Sequence, residues 1–114
     1  MRLVIRPRKF NLHEGLRESL EMRVRFALSR FSPRIRDVLV TLEDVNGPRG
    51  GVDKRCQVVV SLTPRGRVSI DETEDSFETA IAHAAERAGR AVGRELERRQ
   101  TTRASGPGMS PRSD

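Results

Sequence analysis

Tryptophan and tyrosine are absent from this 114-residue chain, and phenylalanine occurs four times, at positions 10, 26, 31 and 77. None of the candidate strands carries an aromatic residue, which excludes base stacking on a strand-borne platform and leaves backbone and shape as the expected basis of any nucleic-acid recognition. The single cysteine, Cys56, excludes an intrachain disulfide and gives no sign of export. No apolar run approaches the roughly 20 residues of a membrane span, and the N-terminus has no apolar signal-peptide core, so a cytoplasmic location is expected. Histidine is scarce as well. Neither His13 nor His83 has a sequence-near cysteine, histidine or carboxylate at metal-ligand spacing. No nucleophile elbow, P-loop or dinucleotide fingerprint occurs, so the expectation is a non-enzyme with no metal, cofactor or small-molecule substrate. An enzyme would need residues brought together by dimerisation.

Lysine is almost missing. Of 22 basic residues only Lys9 and Lys54 are not arginine, and the formal net charge is +6. Arginine offers a planar, permanently charged fork that chelates phosphate and stacks on bases, which suits nucleic acid better than diffuse solubilising charge. A genome-wide preference for arginine would give the same totals, so placement carries more weight than composition. The length predicts one domain with one modest hydrophobic core.

Residues 2 to 8 alternate, with Leu3 and Ile5 on one side and Arg2, Val4 and Arg6 on the other, predicting a first strand that Pro7 interrupts. From about His13 the period lengthens. Leu12, Leu16, Leu20, Val24 and Leu28 recur every fourth residue, with Ala27 and Phe31 on the same face, predicting an amphipathic helix that ends near Ser32-Pro33. Asn11 and Glu14 have capping-box spacing, whereas His13 is a poor cap. Alternation returns over residues 35 to 45, Val38, Val40 and Leu42 facing one way and Leu39, Thr41 and Glu43 the other. The stretch Asn46-Gly47-Pro48-Arg49-Gly50-Gly51 turns the chain into a third strand with Cys56, Val58, Val60 and Leu62 inward. Pro64-Arg65-Gly66 makes a hairpin into a fourth strand containing Val68 and Ile70. A helix from about Asp75 to Gln100 follows. Residues 101 to 114 hold too little apolar surface to order themselves, which predicts a disordered tail behind a domain of residues 1 to 100. The resulting order, βαβββα, describes an α+β fold with two helices packed side by side on one face of a four-stranded sheet.

Within the last helix, His83, Arg87, Arg90, Arg94 and Arg98 recur at steps of four, three, four and four residues. At about 100° per residue they form one cationic stripe beside the apolar stripe of Phe77, Ile81, Ala84, Ala88 and Val92. Cations at a helix C-terminus complement its dipole, but that effect is confined to the last turn, and this row spans about four. A polyanion-binding face is therefore preferred over a merely solvated one. On the first helix, Arg23 and Arg30 lie two turns apart along one edge and extend the basic surface, while Met22 and Phe26 form an apolar pair away from the leucine stripe. Gly89 and Gly93 each cost the helix about 1 kcal/mol relative to alanine, which close packing against the first helix would offset. The acidic residues Asp71, Glu72, Glu74, Asp75 and Glu78 stand at a strand end and a helix N-terminus, where capping and solvation explain them better than a metal site. The glycine-rich segment from Asn46 to Asp53 reads as a hairpin loop, with an anion-binding nest around Arg49 as the alternative.

This pattern resembles the ribosome hibernation-promoting factor family, which includes the ribosome-associated inhibitor A proteins and is also labelled a sigma-factor modulation family. The features that carry the resemblance are the helix start Leu12-x3-Leu16-Arg17, the βαβββα order, and the segment Glu74-Asp75-Ser76-Phe77-Glu78-Thr79-Ala80-Ile81. The family's basic positions on the second helix match Arg87, Arg90 and Arg94, and Arg23 matches one on the first. The resemblance implies a chain that binds small-subunit rRNA near the decoding region and silences translation under stress. Its implied RNA-binding residues are Arg87, Arg90, Arg94 and Arg23, with Arg30, His83 and Arg98 added by spacing alone. The partners expected are the small ribosomal subunit and, at most, a weak homodimer. Phe26 departs from the family, standing where a basic residue is usual. The short tail lacks the second domain with which long members pair ribosomes, so ribosome dimerisation is not implied.

Two other readings stand beside this one. A double-stranded RNA-binding domain has nearly the same order without the first strand, but it grips phosphate at the N-terminus of its last helix, where this chain places Glu74, Asp75 and Glu78. A protein-interaction module would dock the arginine stripe on an acidic partner, with Met22 and Phe26 as an apolar anchor.

Overall fold

The two sequence periods fold into two layers. The computed structural model describes residues 1–45 and 52–105, with side chains through Arg99. Its elements run β1 (Arg2–Arg8), α1 (Glu14–Leu28), a 3-10 turn (Ser29–Arg34), β2 (Ile35–Asp44), β3 (Lys54–Leu62), β4 (Arg67–Glu74) and α2 (Phe77–Ser105). The sheet order is β1-β2-β3-β4. β1 lies parallel to β2, because α1 carries the chain back across the sheet between them, and the remaining pairs are antiparallel. Both helices cover one face, as the βαβββα pattern implied.

Alternation decides which face that is. Val38, Val40 and Leu42 of β2, with Cys56, Val58, Val60 and Leu62 of β3, are all buried. The register sets Val38 opposite Val60 and Val40 opposite Val58, so one continuous apolar surface meets the helices. α1 contributes Leu16, Leu20, Val24 and Leu28 to this core, and α2 contributes Ala80, Ile81, Ala84, Ala85, Ala88 and Val92. Phe10, just past β1, stacks on Phe77 at the start of α2 with ring centroids 4.5 Å apart.

Three local readings change. His13, expected to be a poor cap, is the N-cap of α1: its backbone is extended and its Nδ1 accepts the Leu16 N–H at 3.2 Å. The helix accordingly begins at Glu14, which leaves Leu12 ahead of it, partly buried against the core. An imidazole with an unprotonated Nδ1 offers the same acceptor as an Asn side chain, and Asn11 lies two positions too early to serve. At the other end the α-helix stops at Leu28, and the expected last turn tightens into the 3-10 turn that holds Pro33. Finally, α2 continues to Ser105 instead of ending at Gln100. The sequence has no helix breaker before Gly106-Pro107, so nothing in the backbone stops the helix at Gln100. The rest of the expected tail, 106–114, lies outside the described residues.

The glycines of α2 sit where the helices meet. A Cβ on Gly89 would lie 2.9 Å from the Ala27 carbonyl oxygen, and one on Gly93 would lie 3.2 Å from the Phe31 ring. Close helix packing thus offsets their poor helix propensity. Gly66 has a different task in the β3–β4 hairpin. Its φ of 104° is left-handed, its carbonyl accepts the Leu62 N–H at 2.8 Å, and the neighbouring Arg65 carbonyl accepts a 2.6 Å hydrogen bond from Arg99 of α2.

Candidate nucleic-acid interface

The cationic stripe of α2 faces away from the core, but the fold divides it. His83 and Arg87 are turned toward β4. His83 Nδ1 lies 3.0 Å from Glu74 Oε2, and Arg87 donates a hydrogen bond to Glu72. Both carboxylates are on the helix-facing side of β4 because they continue the alternation of Val68 and Ile70, which places Glu72 opposite Cys56 across the strand pair. Arg90 pairs with Glu86 at 3.1 Å, and Arg98 pairs with Glu95 at 2.7 Å. Arg94 is exposed and makes no ion pair among the described residues.

This corrects the expectation of an uninterrupted cationic row. The sequence places Glu86 and Glu95 in other sectors of α2, yet each lies three or four residues before an arginine and reaches it along the helix surface. The acidic segment was expected to serve capping and solvation. Instead Asp71 bonds Arg55 across the sheet at 2.9 Å, and Glu72 and Glu74 meet the stripe. The cap of α2 is Ser76, whose Oγ accepts the Thr79 N–H at 3.1 Å.

The cationic ends of these pairs are exposed, retaining 52–68% of their accessible surface, whereas Glu72, Glu74 and Glu95 retain 15–29%. Exposed pairs of this kind contribute only about 0–1 kcal/mol, so a phosphate can displace the carboxylate at small cost. Glu72, Glu74 and His83 also bring one potential metal-ligand atom each within 4.8 Å of one another, a grouping that sequence spacing did not reveal. Arg87, bonded to Glu72, already supplies positive charge there, which favours an ion-pair cluster over a cation site.

Two unpaired arginines stand at the junction of the helices. Arg23 and Arg30 of the α1 side are exposed and make no ion pair among the described residues. Together with Arg90 they border a groove of about 550 Å³ between α1 and α2. Ala27, Ala82, Ala85 and Gly89 also line it, and their small side chains leave the groove open. The Arg30 guanidinium stands 4.8 Å over the Phe31 ring, a cation–π contact that helps to fix its direction. Met22 and Phe26, the apolar pair outside the leucine stripe, are 69% and 85% exposed, and Phe26 lines the groove. The fold therefore joins Arg23, Arg30 and Arg90 in one basic groove. It leaves Arg94 and Arg98 further along α2 and sets His83 and Arg87 against β4. The suggested nest from Asn46 to Asp53 falls largely on residues 46–51, outside the described residues.

A model of the family described as sigma 54 modulation protein / S30EA ribosomal protein matches residues 3–100. The chain belongs to this family. The resemblance carried by the first-helix start and by the segment Glu74 to Ile81 is upheld by that match. Among solved structures, the fold is similar to the N-terminal domain of Protein Y from Thermus thermophilus, with a TM-score of 0.67, 19% identity, and coverage of 82% of this chain and 98% of that one. It is also similar to a ribosomal subunit interface protein from Coxiella burnetii, with a TM-score of 0.71, 11% identity, and coverage of 85% and 99%. No match is found among the curated proteins. Among the described residues, no helix of this S30EA-family chain is long and apolar enough to cross a membrane.

Proposed function

We propose that this S30EA-family protein binds rRNA of the small ribosomal subunit near the decoding region and inhibits translation, acting in the cytoplasm as a hibernation factor. The observation that carries this reading is the basic groove, in which Arg23 and Arg30 from one helix and Arg90 from the other converge on a strip of small residues. Such a groove, continued by Arg94 and Arg98 along α2, offers charge along the side of two rigid helices. Phosphates would lie along that side and exchange with Glu72, Glu86 and Glu95 for the paired arginines. The name of the Coxiella structure, a ribosomal subunit interface protein, agrees in kind with this site.

Grip by the N-terminus of α2 is disfavoured, because Ser76 already satisfies the Thr79 N–H and Glu78 occupies the first turn. The reading is tested by co-sedimentation of the purified chain with isolated small and large ribosomal subunits, paired with translation in a cell-free extract. Stoichiometric retention on small subunits with falling protein synthesis is expected. Absence from small subunits would reject the assignment. The competing reading, docking of an acidic protein, draws on the exposed Met22 and Phe26, and salt dependence separates the two. Several neutralised phosphates give a steep loss of affinity with salt, whereas an apolar protein contact gives a shallow one.

A further inference from the structure

We propose that Phe26 is a stacking anchor for an unpaired nucleobase, with Arg23, Arg30 and Arg90 receiving the phosphates on either side. This rests on the RNA-binding reading above and adds a base contact to a surface otherwise read as gripping the backbone. Phe26 is the most exposed of the large apolar side chains in the described residues, at 85%. Nothing in the fold requires it there, since the core stripe of α1 is completed by Leu20, Val24 and Leu28 on the opposite side.

Its surroundings specify the chemistry of the occupant. Three guanidinium groups border the groove against one carboxylate, Glu86, which is itself held by Arg90 at 3.1 Å. The net charge of the groove is positive, so a second copy of the chain would meet like charge, and an anionic occupant is favoured. The ring is flat and solvent-facing, and the opposite wall is built of Ala82, Ala85 and Gly89, so a planar group can enter without displacing side chains. A single strand of RNA alternates flat bases with phosphates, and every base has a π face that stacks on an aromatic ring. The strands carry no aromatic residue on which a base could stack. Phe26 supplies one on a helix.

The absence of tryptophan makes the test direct, because Phe26→Trp places the chain's sole indole in the groove. The full chain and its Phe26→Trp and Phe26→Leu variants are titrated with purified small subunits, a short oligoadenylate strand and an abasic strand of the same length. Phe26→Trp should bind like the wild type, with its emission quenched by oligoadenylate and not by the abasic strand. Phe26→Leu keeps the apolar bulk but loses the π face, and should weaken binding to subunits and oligoadenylate about tenfold with an unchanged salt slope. Equal affinity of wild type and Phe26→Leu for small subunits would overturn the stacking role while leaving the rRNA reading intact. So would unquenched indole emission in a saturated complex, or a defect of Phe26→Leu confined to self-association or to an acidic apolar peptide. Failure of the wild type to bind small subunits would remove the rRNA reading and this proposal with it.

Discussion

Gly89 of α2 packs directly against the backbone of Ala27 in α1: a methyl group on Gly89 would stand 2.9 Å from the Ala27 carbonyl oxygen. Alanine improves intrinsic helix propensity by about 1 kcal/mol, so an isolated helix would favour Gly89→Ala. In the folded protein the obstacle is backbone, which cannot swing aside, and the helices must separate over a packed core. Overpacking of this kind costs about 1–3 kcal/mol and outweighs the gain in propensity. Denaturant unfolding should therefore show Gly89→Ala less stable than wild type. An increase in stability would mean that the helices part freely, and that the groove between them is not rigid.

A second glycine answers to an arginine. Gly66 adopts φ 104°, and the space beside it is filled by the Arg99 guanidinium, which donates to the Arg65 carbonyl at 2.6 Å and to Glu95 at 2.9 Å. Gly66→Ala should destabilise by about 1–2 kcal/mol through the left-handed backbone. Combining it with Arg99→Ala relieves the steric conflict but leaves that strain. In a double-mutant cycle, the Gly66→Ala cost should shrink without vanishing in the Arg99→Ala background.

Arg87 is held by Glu72 of β4, so a phosphate of the proposed rRNA target would have to take the place of that carboxylate. Glu72→Gln removes the competitor and leaves the arginine exposed, with the local potential more positive. We expect affinity for small subunits to rise a few-fold at low salt, with a steeper salt dependence. Weaker binding would mean that the Glu72 contact orients Arg87 for its target.

Most of the fold is legible in the sequence because alternation and four-residue periodicity directly encode which side of each element meets the core. The strands from Val38 to Leu42 and from Cys56 to Leu62, together with the stripe from Leu16 to Leu28, read correctly for that reason. The candidate site is less legible. The arginines could be placed on a helix face, but their partners Glu72 and Glu74 come from a strand brought alongside by tertiary packing. A signal was available in the alternation Val68, Ile70, Glu72, Glu74, which puts both carboxylates on the side facing α2. Conversely, the His13 cap could not be found from residue preferences, because it depends on the ring presenting Nδ1 to a particular N–H. The junction of Arg23, Arg30 and Arg90 needed the relative rotation of two helices, which no single-helix pattern contains.

Cys56 reports on opening of the core. Burial pushes its thiol from the ordinary 9.0 up to about 12, with the Asp71 and Glu72 carboxylates adding to the shift. Above pH 9 the unfolded chain releases this proton while the folded chain keeps it. The unfolded state then binds fewer protons, so stability falls as pH rises, by up to about 1.4 kcal/mol per pH unit between the two values. Unfolding of wild type and Cys56→Ala across pH 8 to 11 should show the steeper decline in wild type, since the variant lacks this group. Thiol labelling at pH 8 should in turn follow global unfolding, accelerating in step with denaturant. Prompt labelling of the native protein would place Cys56 in a locally opening segment.

The charge surface itself is tested by reversal at two arginines with different resting partners. Arg94 makes no ion pair among the described residues, whereas Arg87 is shared with Glu72. Arg94→Ala should lower affinity and reduce the slope of log affinity against log salt by about one, the signature of a lost phosphate contact. Arg87→Ala should have the smaller effect, because its release from Glu72 opposes binding in the wild type. The double variant Arg87→Glu with Arg94→Glu places two carboxylates on the face proposed to meet rRNA and should abolish co-sedimentation with small subunits. Both side chains are exposed, so the far-ultraviolet circular dichroism of the double variant should match that of wild type. Full retention on small subunits would exclude the side of α2 as the contact, and Arg23 and Arg30 on the α1 side of the groove would then have to carry the interaction.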